Sequence, residues 1–369
     1  MSNLLNNLNE MLLMGPGPST VSPTIYQALK RPTLGHLDPR FIEIMDTIKV
    51  QLQTILNTKN ELTVPMSGTG SAGMETCFVN LLEPNDNVLI LINGVFGVRM
   101  QDVATRLGAN VDSLEFDWGT PVIPAAVKLQ LAEKKYDLVA VVHAETSTGV
   151  ANPIESIGHL VKENGALFLV DAVTSVGGMP VEMDEWGIDA LYSGTQKCLS
   201  CPPGLSPVSF SPSAVEKLMN RKSKVPNWYL DLSLIANYWS GSTRVYHHTA
   251  PINMLYGLYQ ALFDVIEEGV EAVHGRHKSF HDYLVEGLED MGLEMLVEKP
   301  YRLPMLNAVK IPDGVNDGDV RSALLNDYNI EIGGGLGVFA GKVWRIGLMG
   351  HSAYKQNIDK LLGALKNQL

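Results

Sequence analysis

Two apolar runs that end on chemically useful residues carry the first signal. Ala166-Leu167-Phe168-Leu169-Val170 stops on Asp171, and Ile188-Asp189-Ala190-Leu191-Tyr192 stops on the small polar turn Ser193-Gly194-Thr195-Gln196-Lys197. A lysine amine can hold a carbonyl compound as a Schiff base. A carboxylate can pair with the protonated nitrogen of a pyridine ring and keep that ring an electron sink. A strand ending in Asp followed by a strand ending in Lys therefore suggests pyridoxal phosphate (PLP) chemistry, with Lys197 as the Schiff-base residue and Asp171 as the ring-nitrogen partner. Taken singly, each residue also suits a plainer role, Lys197 as a solvated loop lysine and Asp171 as a helix cap.

A phosphate needs a cradle, and Ser67-Gly68-Thr69-Gly70-Ser71-Ala72-Gly73 offers one at the start of a helix. Glycines allow close backbone approach, hydroxyls donate hydrogen bonds, and a helix N-terminus favours an anion. The same stretch matches the dinucleotide fingerprint Gly-x-Gly-x-x-Gly. That reading expects an acidic residue about 20 positions on, at the end of the next strand; here that strand ends in Asn93-Gly94. A glycine-rich helix start with no ligand is the third alternative. Phe96 offers an aromatic face for stacking, or an ordinary core ring. Arg345, inside the apolar run Lys342-Val343-Trp344-Arg345-Ile346-Gly347-Leu348, must be paired if buried. Its partner is either an internal carboxylate or the carboxylate of a substrate, which the planar guanidinium grips with two prongs. Cys198-x-x-Cys201 has no second pair to complete a zinc site, and Pro202-Pro203 after it disfavours a redox helix, so no metal is expected.

Alternating strands and helices must position these residues. Val88 to Ile92, Leu138 to Val142, Ala166 to Val170 and Ile188 to Tyr192 read as buried strands. Gly73 to Leu82, Gly97 to Leu107 and Ile154 to Glu163 read as helices between them. Such alternation predicts an α/β fold with a mostly parallel sheet covered on both faces. In such sheets ligands bind beyond the carboxyl ends of the strands. Asn93 to Gly97, His143 to Gly149, Asp171 and Lys197 all follow strand ends, so four polar clusters should meet at one sheet edge. A helix is predicted from Asp38-Pro39 with apolar residues at Phe41, Ile44, Met45, Ile48, Leu52, Ile55 and Leu56. One long helical pattern runs from Pro251 to about Asp290. Strands near 307–311 and 343–348 and helices near 317–328 and 354–367 follow it. The expected organisation is an arm at 1–20, containing Gly15-Pro16-Gly17-Pro18, a large cofactor-binding domain at 21–265 and a smaller α+β domain at 266–369.

With 369 residues, 45% of them hydrophobic and 18% charged, the chain can bury a sizeable core. A net charge of −12 argues against nucleic acid as a partner. No apolar run reaches membrane-spanning length. The Asn-rich start without Lys or Arg, and the ending Asn367-Gln368-Leu369, suggest neither a secretory leader nor a peroxisomal address, so a cytoplasmic location is expected.

Together the motifs resemble the class V PLP-dependent aminotransferases of fold type I, and among them the alanine–glyoxylate and serine–glyoxylate (serine–pyruvate) aminotransferases. The resemblance runs from Leu12-Leu13-Met14-Gly15-Pro16-Gly17-Pro18-Ser19 to Arg345-Ile346-Gly347-Leu348-Met349-Gly350. It is carried most specifically by His143 to Gly149, Val170 to Ser175, Tyr192 to Lys197 and Tyr246-His247-His248-Thr249. By that resemblance Lys197 and Asp171 keep the roles above. Thr69, Gly70, Ser71 and Gln196 serve the phosphate, Phe96 and Val173 pack on the two ring faces, and Thr146 bonds the ring hydroxyl. Arg345 binds the substrate carboxylate, while Tyr246 and Thr249 reach the phosphate of a neighbouring subunit in a homodimer. Phe96 stands where some relatives have tryptophan, and Ser71 where some have histidine. The resemblance implies ping-pong transfer of an amino group from a small amino acid to a 2-oxo acid, glyoxylate, with Lys197 moving the proton. An (S)-ureidoglycine–glyoxylate aminotransferase is the nearest enzyme alternative, and a protein that kept the fold for binding or scaffolding is the non-enzyme one. The related cysteine desulfurases need a cysteine in the C-terminal part, and the last one here is Cys201.

Overall fold

The computed structural model describes residues 3–241 and 244–369. The first two residues of the expected arm lie outside the described residues. Seven strands form the central sheet: β1 (Leu62–Ser67), β2 (Asn87–Ile92), β3 (Asn110–Glu115), β4 (Leu138–Val142), β5 (Leu167–Asp171), β6 (Ala190–Tyr192) and β7 (Leu205–Phe210). Their order across the sheet is β1-β7-β6-β5-β4-β2-β3. Only β7 runs against the others, pairing antiparallel with both β1 and β6. Strands β4, β5 and β6 are buried throughout apart from Leu167, as a sheet covered on both faces requires. Their register sets Val142 opposite Asp171 and Asp171 opposite Tyr192. Three side chains from separate parts of the sequence therefore line up at the carboxyl edge.

Local chemistry explains the helices. In α1 (Pro39–Ile55) the Asp38 carboxylate accepts from the Arg40 amide at 2.9 Å, Pro39 occupies the first turn, and Phe41, Met45, Ile48, Leu52 and Ile55 bury one face. Helices α2 (Gly70–Leu81), α3 (Val95–Arg106) and α4 (Ile154–Asn164) follow strand ends, the first two beginning two to three residues earlier than apolar periodicity predicts. The first turn of α2, Gly70-Ser71-Ala72-Gly73, is small residues at the cleft, where no apolar stripe is required, and α3 opens on Val95-Phe96 directly after Gly94, which reads as loop. The long pattern from Pro251 to Asp290 is two helices, α5 (Ile252–Glu268) and α6 (Val270–Asp290). Gly269, at φ 92°, turns the chain between them. The apolar spacing continues across that turn, so periodicity cannot see it.

Two cores result. The larger gathers buried residues from Ile25 to Val273 around the sheet, including the inward side of α5. The smaller runs from Leu284 to Leu365 and recruits Met14 from the start of the chain. It packs on the antiparallel strands β8 (Leu306–Lys310), β9 (Gly333–Gly334) and β10 (Val343–Gly347), in the order β8-β10-β9. Leu12–Leu13 adds as a short parallel strand to Ile330–Glu331. The Gly347 amide then donates to the Met14 carbonyl at 2.7 Å, and a Cβ on Gly347 would overlap the Gly15 carbonyl oxygen. The arm thus threads past the small sheet and arrives at the carboxyl edge of the large one.

Candidate active site

The carboxyl ends of β1, β2, β4, β5 and β6 border a cleft of about 130 Å³. Thr69, Gly70, Ser71, Phe96, Thr146, Asp171, Val173, Gln196 and Lys197, all picked out by sequence, line it together.

At one end lies the first turn of α2. Thr69 is its N-cap but makes no side-chain cap, and the Gly70 and Ser71 amides find no acceptor among the described residues. Free amides at the positive end of a helix suit a phosphate. Gln196 Oε1 is buried beside them without a hydrogen-bond partner, so its side chain is free to turn toward a ligand. In the middle, Asp171 is buried. Its Oδ1 accepts the Val173 amide at 2.8 Å and its Oδ2 the Tyr192 hydroxyl at 2.7 Å. Burial pushes its pKa up to about 6, against the pull of those two donors. No cation lies within 4 Å of this carboxylate among the described residues. A protonated ring nitrogen is the kind of partner the carboxylate lacks.

Opposite, Lys197 Nζ donates to the Pro16 carbonyl of the arm. Burial lowers the lysine pKa to about 8, with Arg345 adding to the fall. About a tenth is therefore neutral amine at pH 7, the form that can bond a carbonyl or take a proton. The arm is pinned here by Ser19, whose amide donates to the Gln196 carbonyl at 2.9 Å and whose hydroxyl donates to the Lys197 carbonyl at 2.6 Å. Gly17, at φ 109°, passes so close that a Cβ there would sit 2.5 Å from Lys197 Nζ.

Arg345 projects from β10 and is only 7% exposed. Its Nε donates to the Gly334 carbonyl at 2.7 Å and its Nη1 to the Thr146 carbonyl at 3.2 Å. The internal ion pair that the sequence left open is absent among the described residues: no carboxylate lies within 4 Å. Two neutral carbonyls fix the guanidinium and leave its charge for a ligand. Tyr246 and Thr249 are not brought to this cleft. Tyr246 is 55% exposed, its hydroxyl 3.4 Å from Thr249 Oγ1 and its ring centroid 5.1 Å from that of His36. Cys198 and Cys201 are buried and free, and burial pushes both thiols up, Cys198 to about 12.

Several residues of the site escape sequence reasoning. Tyr192 reads as the last apolar residue of a strand; only its buried hydroxyl, which needs a partner, hints at more. Arg99 lines the cleft with its guanidinium 5.1 Å over the Phe96 ring. Its signal is the i+3 spacing from Phe96 on one helix. The Pro16 carbonyl has no sequence signature at all.

A cleft at the carboxyl edge of a mostly parallel sheet, with a buried lysine and carboxylate and an uncapped helix, offers the groups that a phosphorylated, carbonyl-bearing ligand would need. The sequence profile of the class-V aminotransferases matches residues 23–361. Alanine–glyoxylate aminotransferase of Rattus norvegicus is 40% identical over 366 residues, covering 98% of this chain and 88% of that protein. The (S)-ureidoglycine–glyoxylate transaminase of Bacillus subtilis is 38% identical, covering 96% and 89%. The crystal structure of an alanine–glyoxylate aminotransferase from Nostoc sp. superposes with a TM-score of 0.96 at 48% identity, covering 98% and 96%. The chain belongs to the class-V aminotransferases, and its α/β architecture is that of the fold type I enzymes among them.

Tyr192 generates a test. Its hydroxyl stabilises the charged form of Asp171, so Tyr192→Phe raises the carboxyl pKa further. A charge-assisted hydrogen bond of about 1.5–3 kcal/mol corresponds to a rise of about 1 to 2. Titration of carboxyl-labelled aspartate by carbon-13 NMR, with Asp171→Asn as the assignment control, reads it directly. An unchanged value excludes Tyr192 as the partner that tunes Asp171.

Proposed function

We propose that this protein is a PLP-dependent transaminase that moves the amino group of a small amino acid, alanine or serine, to glyoxylate, giving glycine and a 2-oxo acid. The observation that carries the reading is the meeting, in one cleft, of Lys197 and a buried Asp171 that has no cation partner. The free amides of α2 support it, as does Arg345, which is held by two carbonyls with no carboxylate within 4 Å among the described residues. So do the glyoxylate-using activities named for the relatives.

The residues present fit the cofactor. Thr69, Gly70, Ser71 and Gln196 would hold its phosphate, Phe96 and Val173 its ring faces, Thr146 its ring hydroxyl, Asp171 its ring nitrogen and Lys197 its aldehyde. PLP, when bound, supplies the electron sink that lets a proton leave the carbon bearing the amino group. Asp171 keeps a negative charge where positive charge must persist, with the Val173 amide and Tyr192 hydroxyl holding its two oxygens in place. Lys197, its amine lowered to about 8, takes that proton and returns it. In the structure this amine donates to the Pro16 carbonyl. Arg345 grips the carboxylate beside the reacting carbon. Donor and acceptor both carry that group, so one guanidinium orients each substrate in turn.

The arm, a larger domain to residue 265 and a smaller one from 266 belong to the same reading; two separate cores support two domains, while the larger core reaches past that boundary to Val273. A homodimer belongs to it as well. Tyr246 and Thr249 are exposed in the single chain and away from its cleft, as residues serving a neighbour's phosphate would be. No helix among the described residues is long and apolar enough to cross a membrane. Three free, buried cysteines suit the reducing cytoplasm, where we place the protein.

The reading is tested with purified protein, glyoxylate and a panel of donors including alanine, serine and (S)-ureidoglycine. Wild type is expected to form glycine, with alanine or serine as the preferred donor. Lys197→Ala should bind PLP without a borohydride-reducible adduct and lose turnover. A reducible adduct at another lysine excludes the assignment, and preference for (S)-ureidoglycine selects the alternative activity.

Arg345→Lys keeps the charge but loses the two-pronged grip. It should lower kcat/KM by roughly 2–4 kcal/mol in both half-reactions, read by stopped-flow absorbance. A fall in Tm with both half-reactions intact would reduce Arg345 to a packing role. The dimer is checked by sedimentation at assay concentration; a fully active monomer excludes composite sites.

A further inference from the structure

Helix α3 carries Phe96 in its first turn, yet it has no cap of its own. Its N-cap, Gly94, has no side chain to offer, and the first amides of a helix need acceptors. Two side chains from another loop supply them. The Val95 amide donates to Ser147 Oγ at 3.0 Å, and the Phe96 amide to Glu145 Oε2 at 3.2 Å. The two acceptors are tied to each other: Ser147 donates to Glu145 Oε1 from its hydroxyl at 2.6 Å and from its amide at 3.0 Å. The contact is close enough that a Cβ on Gly94 would overlap the Glu145 carboxyl carbon.

Between the two capping residues sits Thr146. Its side chain lines the cleft, while its carbonyl accepts from Arg345 Nη1. The tripeptide Glu145-Thr146-Ser147 therefore touches the ring-stacking helix and the substrate-binding arginine at once. Glu145 is fully buried, and no cation lies within 4 Å of it among the described residues. Three donors and the positive end of α3 balance its charge instead. Burial raises its pKa to about 7 against those donors.

We propose that Glu145 and Ser147 are positioning residues, a cross-loop clamp that caps α3 and so sets the Phe96 ring in register with Thr146 and Arg345. The proposal rests on the PLP reading. A clamp that loosens lets the first turn of α3 shift, and an error of the order of 1 Å at a positioning group costs up to about a hundredfold.

The test is a double-mutant cycle on cofactor affinity. Apoprotein is titrated with PLP, Kd is read from tryptophan fluorescence, and the dichroism of the cofactor's visible band is recorded at saturation. Glu145→Gln and Phe96→Leu should each weaken PLP about tenfold or more, and Glu145→Gln should diminish the visible dichroism. The double variant should be within about threefold of the weaker single, because a cap has nothing left to position once the ring is gone. Losses that multiply in the double variant overturn the clamp. So does wild-type affinity and dichroism in Glu145→Gln, even if the Tm of its apoprotein falls. Should Glu145→Gln fail to fold, the cycle of Ser147→Ala with Phe96→Leu decides by the same criterion. Wild-type protein that does not bind PLP overturns the cofactor reading and the clamp together, whereas normal wild-type binding with unaffected variants overturns only the clamp.

Discussion

A carboxylate buried at the end of a parallel strand, with no cation beside it, is the constraint on which the rest of this structure depends. Asp171 cannot be charged there without help. The help comes from sheet register, which sets Tyr192 opposite it, and from the chain reversal that turns the Val173 amide back onto it. Both devices require strands that end together, and a parallel sheet delivers that. The same edge collects the uncapped start of α2 and the turn that carries Lys197. One side of the cleft thus favours an anion and the centre favours a cation. Ligand-binding polarity is built in before any substrate arrives.

The second requirement is that the smaller core be locked onto this edge. The start of the chain does much of that work. It adds a strand at Leu12–Leu13, passes Gly347 at backbone contact distance, and is bonded through Ser19 to the backbone of Gln196 and Lys197. A small apolar cluster, including Ala144, Cys198, Leu306 and Met349, packs behind the cleft where the two bodies meet. Arg345 is then delivered from β10 to the Thr146 carbonyl, so its charge comes from the strand of one core and the cleft's Lys197 and Asp171 from the other. Arg345 itself does not line the cleft; it stands one residue behind it, on the carbonyl of Thr146, which does.

Much of this was legible in the chain because the relevant signals are local. Buried strands read as apolar runs, and a run that halts on Asp or on a small polar turn marks the edge where ligands sit. Helix starts in the cleft were less legible. The start of α2 is glycine and small residues, and that of α3 follows Gly94 directly, so apolar periodicity placed both starts late. Gly269 hid for the opposite reason: the apolar spacing continues across it. The antiparallel course of β7 has no signature either, since a fully buried strand reads alike in both directions.

By itself the sequence determined the α/β alternation, the lysine and carboxylate at strand ends, the glycine-rich helix start and the presence of an arginine in an apolar strand. These follow from periodicity and residue chemistry over a few neighbouring positions. Tertiary structure alone decided that Tyr192 is the partner of Asp171, that Pro16 of the arm receives Lys197, and that Glu145 and Ser147 cap a helix about fifty residues earlier in the chain. It also decided that Arg345 meets carbonyls rather than a carboxylate, and that Tyr246 and Thr249 lie exposed outside the cleft. Each of these depends on which distant backbone lies within a hydrogen bond's reach, roughly 3 Å. Strand register and the crossing of two cores set that distance, and no local pattern of residue types encodes it.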